Sequence, residues 1–258
     1  MTIDLQNNYI WGIPPYTFWA CIGIACSIIF FLFLLYQNDI KIEGQLLIGV
    51  MGIGGMLLGA KVFGCMKNII TALYYQEPIT SEVIRNSGLV YYGGLIGFLL
   101  FSCITIWVFY HKFDLGLMNL VVITIPLFHS FGRIGCLFAG CCFGMEWNKG
   151  FTINYIYDSQ KIVSRFPTQL IESACELLIF FFLLNICKKN LHRNLLKMYL
   201  FIYACVRFVL EFTRGDEIRG IWNGLSFSQY ISIAIIILII SLSTISTIKI
   251  RRKNYENY

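Results

Sequence analysis

The sequence is built from long apolar segments separated by short polar connections. Seven segments approach the roughly 20 residues that a helix needs to cross the hydrocarbon core of a bilayer. They lie at about 17–36, 44–64, 87–110, 117–140, 170–187, 195–212 and 227–248. Of 258 residues, 57% are hydrophobic and 13% are charged, too few polar residues to cover a soluble core. The sequence therefore predicts an all-α integral membrane protein, with about seven transmembrane helices in one polytopic domain over residues 1–258.

Lysine and arginine residues are distributed unequally between the two sets of connections. The set that contains Lys41, Lys112, residues 188–197 and the tail 249–258 has an excess of positive charge, whereas charges in the other set balance. Because positively charged connections stay in the cytoplasm, the C-terminus is predicted to be cytoplasmic and the N-terminus external. The longest connection, about 141–169, is then an external loop. The net charge of +6 thus concerns orientation in the bilayer, and no nucleic-acid partner is expected.

Glycines are frequent in three of the predicted spans. In the span at 44–64 they recur at helical spacing, which would let a neighbouring backbone approach closely. Glycines also interrupt the spans at 87–110 and 117–140. An interruption of a helix inside a bilayer must be covered by protein or line a wet cavity. We therefore expect these segments to surround such a cavity.

Six ionisable residues lie within the predicted spans, and each costs about 2.5–3.5 kcal/mol at a helix centre, so they should face inward and pair. They are Lys61, Arg133, Glu172, Glu176, Arg207 and Glu211. Arg207 and Glu211 are four residues apart and share a helical face that Arg214 extends by a turn. For Lys61 and Glu176 we favour a structural role, as salt-bridge partners or as side chains that reach the headgroups.

Arg133 lies within the segment HSFGRIGCLFAGCCFG at 129–144, with a glycine on each side. Exposed backbone N–H groups beside the forked guanidinium donors are suited to bind phosphate or carboxylate. With Arg207 and Arg214 available as well, the sequence favours an anion site over a purely structural arginine.

Six motifs follow one another along the sequence: the aromatic first span around Tyr16, GLVYYGGLIG at 88–97, GRIGCLFAGCCFG at 132–144, RFPTQLIES at 165–173, YACVRFVLEFTRGDE at 203–217 and GLSFSQYIS at 224–232. In these motifs the sequence resembles the bacterial prolipoprotein diacylglyceryl transferases over nearly its whole length. The resemblance implies an enzyme of the bacterial cytoplasmic (inner) membrane without a cofactor. The enzyme would lie in membrane lipid and would move the diacylglyceryl group of phosphatidylglycerol to the lipobox cysteine of a prolipoprotein.

The resemblance also implies roles for individual residues. Arg133 and Arg207 would hold the lipid phosphate, Glu211 would stand beside Arg207, and Tyr92 would complete the catalytic group. Tyr203 would line the same cavity. The other predicted substrate contacts are Gly93, Gly94, Tyr16, Arg214, Glu172 and Cys136.

The chain departs from the better-known members of that family at four positions. Tyr92 stands in place of a histidine, Cys136 of an asparagine, Cys141 of a glutamate and Phe166 of a second histidine. These cysteines resemble a GCC branch of the family, so we interpret the changes as those of a subfamily.

The absent histidine leaves open which group accepts the proton of the attacking thiol. We predict Glu211 as the acceptor, with a role in orienting Arg207 as the alternative. Tyr92 is suited to donate a hydrogen bond to phosphate but is a poor base. His129, one helical turn before Arg133, is a possible substitute, although a structural role is favoured for it.

For Cys136, Cys141 and Cys142, packing ranks first, a disulfide or redox role second and metal binding last. The spacing C-x4-C-C with one histidine is an incomplete metal motif, so no metal is predicted.

Two other functions remain open on the sequence. A membrane transferase of the same fold would use a different acceptor, which the change to Tyr92 keeps possible. A lipid-binding or transport protein would also carry charges within its spans. The lack of a repeat between the two halves of the sequence argues against a transporter.

Overall fold

The computed structural model describes residues 1–5, 9–41, 45–111, 114–157, 161–191, 193–216 and 220–256. Some predicted features lie outside these ranges: Lys112, Glu217 of the fifth motif, residues 158–160 of the predicted external loop and residues 257–258 of the predicted tail. No side chain is described at 110 or beyond 245.

Six helices among the described residues are long and apolar enough to cross a membrane. They are α1 (Pro15–Gln37), α2 (Gln45–Tyr74), α4 (Tyr91–Tyr110), α5 (Leu115–Ala139), α6 (Thr168–Lys189) and α8 (Phe227–Glu256), and a short helix, α3 (Ser81–Arg85), separates α2 from α4. They coincide with six of the seven predicted spans, which confirms a mostly helical membrane protein. Helices α4 and α5 run unbroken through their glycines, so the expected interruptions are absent there.

The remaining predicted span, 195–212, corresponds to α7 (Leu195–Leu210). This helix has 16 residues. It is about 24 Å long at 1.5 Å per residue, which is shorter than the roughly 30 Å hydrocarbon core. A 3₁₀ turn, Glu211–Thr213, follows it directly.

Glycines allow α2 and α4 to pack closely against each other. A Cβ on Gly59 would collide with the backbone of Gly93, and one on Gly97 with the backbone of Gly55. This confirms the close backbone approach predicted for the second span. Helix α5 lies at the centre of the molecule, packed against α1 and α6, and is buried along most of its length.

Two small sheets correct the all-α expectation. Strands β1 (Thr2–Asp4), β2 (Ile153–Ile156) and β3 (Ile162–Arg165) form one sheet, with β1 parallel and β3 antiparallel to β2, and β4 (Ile221–Trp222) pairs with β5 (Leu225–Ser226). Backbone groups outside the helices still need hydrogen-bond partners, and strand pairing supplies them. Ile3, Ile153 and Tyr155 form a small core with Leu137 of α5, so the first strand lies against the loop that precedes α6.

Candidate active site

Two buried arginines from different helices meet at one buried carboxylate. Glu172 of α6 accepts hydrogen bonds from Arg207 Nη1 of α7, at 3.0 Å from each carboxylate oxygen. Its Oε1 atom also lies 3.0 Å from Arg133 Nη2 of α5. The structure therefore brings together Arg133, Arg207 and Glu172, as the resemblance implied, and makes Glu172 the bridge between the two guanidinium groups.

The ion pairs continue along the end of α7. Arg207 Nη2 lies 2.6 Å from Glu211 Oε2, and Arg214 Nη1 lies 3.7 Å from the same oxygen. Arg214 also donates to the carboxylate of Asp216. The predicted contacts among Arg207, Glu211 and Arg214 are confirmed, but Arg214 follows the 3₁₀ turn with extended backbone and does not continue the helical face. The contact of Glu211 is the one expected of a residue that orients Arg207, while its role as proton acceptor stays a prediction.

Two tyrosines lie beside this cluster. The hydroxyl of Tyr92 shares a 2.6 Å hydrogen bond with Ser232 of α8, a partner that no spacing in the sequence indicates. The ring of Tyr203 lies 5.4 Å from that of Tyr92. The hydroxyl of Tyr203 is buried and has no hydrogen-bond partner among the described residues. Arg207 interacts electrostatically with both tyrosines, so Tyr92 and Tyr203 belong to the same polar centre.

His129 is enclosed on the other side of Arg133. Its Nε2 accepts from Arg133 Nε at 3.2 Å, and its Nδ1 lies 2.9 Å from Glu176 Oε1. Its ring stacks on Tyr91 at 3.7 Å between centroids. Because a lone pair that accepts from Arg133 is not free to take a proton, these contacts fit the structural role favoured for His129. They also make Glu176 part of the framework, as predicted.

Lys61 has a structural role, as predicted, but its partners are backbone carbonyls where a salt bridge or the lipid headgroups were expected. Its Nζ donates to the backbone carbonyls of Arg85 at 3.1 Å and Ser87 at 2.8 Å. It therefore fixes the segment before α4, without a carboxylate partner among the described residues.

Three further predicted substrate residues lie on α1 and α4. Gly93 packs on Gly59, and Gly94 packs on Met56, so both contribute to the contact between α2 and α4. Tyr16 is 45% exposed near the start of α1 and interacts electrostatically with Arg133 and with Cys136, Cys141 and Cys142. Contact of these residues with lipid stays a prediction.

Three cysteine side chains meet at the end of α5. The Sγ atoms of Cys136, Cys141 and Cys142 all lie within 4.8 Å of one another. Hydrogen bonds from the Cys136 and Cys141 thiols, with Arg214 nearby, lower the pKa of Cys142. The sequence ranked packing first for these residues, yet Cys141 is exposed and Cys142 is only half-buried.

The family model for prolipoprotein diacylglyceryl transferases matches residues 9–245 of the chain. A Clostridium perfringens (strain 13 / Type A) protein named phosphatidylglycerol–prolipoprotein diacylglyceryl transferase 2 is 35% identical over 266 residues, which cover 99% of this chain and 100% of that protein. A Clostridium tetani (strain Massachusetts / E88) protein named phosphatidylglycerol–prolipoprotein diacylglyceryl transferase is 32% identical over 211 residues, which cover 78% of this chain and 79% of the relative. The matched motifs and the meeting of Arg133, Arg207 and Glu172 agree with these similarities, and the chain belongs to the prolipoprotein diacylglyceryl transferase family.

Proposed function

We propose that the protein transfers the diacylglyceryl group of phosphatidylglycerol to the lipobox cysteine of prolipoproteins. A thioether forms and glycerol phosphate is released. Membership of the family and the names of the relatives support the reaction and its two substrates. The observation that carries the proposal for this site is the meeting of two buried guanidinium groups at one point between α5, α6 and α7.

Arg133 retains binding capacity at that point. Its Nε atom contacts His129 and its Nη2 atom contacts Glu172. Its Nη1 atom has no partner among the described residues, and the side chain is 7% exposed. A guanidinium carries five N–H donors in a fixed fork, so Arg133 can bind a phosphate oxygen while it keeps both internal contacts.

The proposed reaction joins the thiolate sulfur to the glycerol carbon that carries the phosphate. The bond from that carbon to the phosphate oxygen breaks, and its electron pair leaves with glycerol phosphate. Arg133 and Arg207 stabilise the charge that develops there, because an arginine stays protonated even when it is desolvated. Glu172 and Glu211 orient the two guanidinium groups, and Glu211 is the predicted proton acceptor.

The aromatic residues complete the proposed site. Tyr203 has a hydroxyl without a hydrogen-bond partner among the described residues, which can donate to the lipid phosphate beside Arg207. Tyr92 donates its hydroxyl to Ser232 and can donate to phosphate only in exchange for that hydrogen bond. Tyr16, Gly93, Gly94, Arg214 and Cys136 are proposed to contact the substrates, as the resemblance implies.

We also propose seven spans, an external N-terminus and a cytoplasmic C-terminus in the bacterial inner membrane. One domain, 1–258, would include an external loop at 141–169 and a basic tail at 249–258. Helix α7 and its 3₁₀ turn together reach about 30 Å, the thickness of the hydrocarbon core. The pairing of β1 with β2, and of Gly144 with Arg214, supports a common side for the N-terminus, the loop and the end of α7. A tag inserted at the exposed residues Lys149 and Gly150 should be accessible only from the outside of intact cells.

A transfer assay tests the proposed reaction. Membranes that contain the protein receive phosphatidylglycerol labelled in its acyl chains and a lipobox peptide with either cysteine or serine at the acceptor position. We expect label on the cysteine peptide alone, and Arg133→Ala should abolish transfer while the protein still inserts. Label on the serine peptide would indicate a different acceptor chemistry, and label on neither peptide would contradict the proposal.

A further inference from the structure

The three thiols at the end of α5 have the spacing of a metal site. Their Sγ atoms lie within 4.8 Å of one another. In a tetrahedral zinc site with Zn–S bonds of about 2.3 Å, two sulfurs are about 3.8 Å apart. Small rotations of the side chains therefore suffice to bring all three sulfurs to one ion.

The backbone fixes this arrangement. Gly140 ends α5 in the left-handed conformation, with φ of 64°. The N–H of Cys141 then donates to the carbonyl of Cys136 at 3.2 Å. Cys142 is also left-handed, with φ of 56°, although it carries a side chain. Such backbone is retained where the surrounding structure holds it, and here it turns the chain so that all three thiols converge.

The charges nearby suit a thiolate site. Three thiolates and one divalent ion carry a net charge of −1, and Arg133 and Arg214 both interact electrostatically with Cys142. The two guanidinium groups place positive charge beside the anionic complex, although each also pairs with a carboxylate. Cys141 is exposed, which leaves one side of the cluster open to a further ligand.

We propose that Cys136, Cys141 and Cys142 bind a zinc ion whose fourth position takes the thiol of the acceptor cysteine. This inference rests on the proposed function and adds to it a means of activating the acceptor thiol. The expected histidine is absent at Tyr92, and His129 is enclosed by its contacts with Arg133 and Glu176. A thiol that coordinates zinc is deprotonated, so the ion makes the acceptor thiol acidic and Glu211, the predicted proton acceptor, receives its proton.

The step balances as follows. The acceptor thiol loses its proton to Glu211 when its sulfur binds the ion. That sulfur then forms the bond to the glycerol carbon, the carbon–oxygen bond breaks, and glycerol phosphate leaves with the electron pair. The thioether product is a weaker ligand than a thiolate and leaves the fourth position open again.

Metal content is measured first on the purified full-length protein, isolated from cells grown with zinc. We expect about one zinc per chain, bound by three protein thiolates. Cys141→Ser and Cys142→Ser should lose the metal, whereas Cys21→Ser, a change at an exposed cysteine of α1, should retain it. Absence of bound zinc, or a disulfide within the cluster, would overturn the inference.

Cobalt substitution tests the open position without any turnover. The visible spectrum of the cobalt protein should change when the cysteine lipobox peptide is added and should not change with the serine peptide. An identical spectrum with both peptides would overturn the assignment of the fourth ligand.

Transfer measured on the same preparations separates the two proposals. Removal of zinc by a chelator should lower transfer by roughly 100-fold or more, the range for loss of a catalytic base, and zinc should restore it. Full transfer by metal-free protein would refute the zinc site and leave the proposed reaction intact. Zinc binding with a peptide-sensitive cobalt spectrum, but no transfer from phosphatidylglycerol, would retain the metal site and refute the reaction.

Discussion

Arg133 and Arg207 are tied to each other through one carboxylate. Arg133 Nη2 lies 3.0 Å from Glu172 Oε1, and Arg207 Nη1 lies 3.0 Å from Glu172 Oε2. The residues come from α5, α6 and α7, so this bridge fixes three helices relative to one another at the proposed phosphate site. It also sets the distance between the two guanidinium groups.

Replacement of either arginine by lysine should abolish most transfer. An ammonium group keeps the charge but loses the planar fork that binds Glu172 and phosphate together. We expect kcat/KM to fall by roughly 100-fold or more, as for loss of a donor that stabilises developing charge. Arg85→Lys, at the exposed end of α3, is the matched control and should transfer normally. Normal rates for Arg133→Lys and Arg207→Lys would show that neither guanidinium acts on the phosphate.

Removal of Glu172 should destabilise the protein far more than removal of an exposed glutamate. Glu172→Ala leaves two buried guanidinium groups without their shared partner, at a cost of about 3–5 kcal/mol in the free energy of unfolding. Glu146→Ala is the control, because Glu146 is 71% exposed and lies 3.9 Å from Arg165. That change should cost about 1 kcal/mol or less. Unfolding in detergent measures both, and equal losses would mean that the bridge contributes little.

Substitution of a packed glycine should separate α2 from α4. Gly59→Ala places a methyl group on the backbone of Gly93. We expect a loss of about 1–3 kcal/mol, typical of overpacking. Gly54→Ala meets no atom within 4 Å, so it should be neutral or slightly stabilising, since alanine favours the helix. Thermal unfolding of the two variants compares them directly, and a stable Gly59→Ala protein would show that the helices can move apart freely.

Tyr203→Phe should affect lipid binding without affecting stability. The Tyr203 hydroxyl has no hydrogen-bond partner among the described residues, so its removal breaks no hydrogen bond among them. If the hydroxyl binds phosphate, KM for phosphatidylglycerol should rise several-fold. Tyr91→Phe is the opposite case, because the Tyr91 hydroxyl lies 2.9 Å from that of Tyr199. We expect it to lose about 1 kcal/mol of stability. An unchanged KM for Tyr203→Phe would remove that hydroxyl from the site.

Features that depend on a local sequence pattern could be predicted from the sequence. Apolar runs locate the helices because each span must be apolar along its length. The contact of Arg207 with Glu211 follows from helical periodicity, and the packing of Gly59 follows from glycine spacing. The length of α7 is the exception, since the change to a 3₁₀ turn at Glu211 leaves no mark in the hydropathy.

Contacts between residues that are far apart in the sequence could not be predicted from local pattern. Periodicity places Glu172 on a helical face, but the arrangement of α5, α6 and α7 decides that it binds both arginines. The hydrogen bond between Tyr92 and Ser232 depends likewise on how α4 meets α8. The approach of Cys136 to Cys142 depends on a left-handed turn that a C-x4-C-C spacing does not reveal.

The parallel pairing of Thr2–Asp4 with Ile153–Ile156 has a consequence for the order of biosynthesis. The first strand leaves the ribosome before α1, yet its partner is not synthesised until α5 has been completed. Residues Thr2–Asp4 therefore have no partner strand in this sheet until more than half of the polypeptide has been translated. Closure of this sheet is thus a late event, possible only after α1 to α5 have been synthesised.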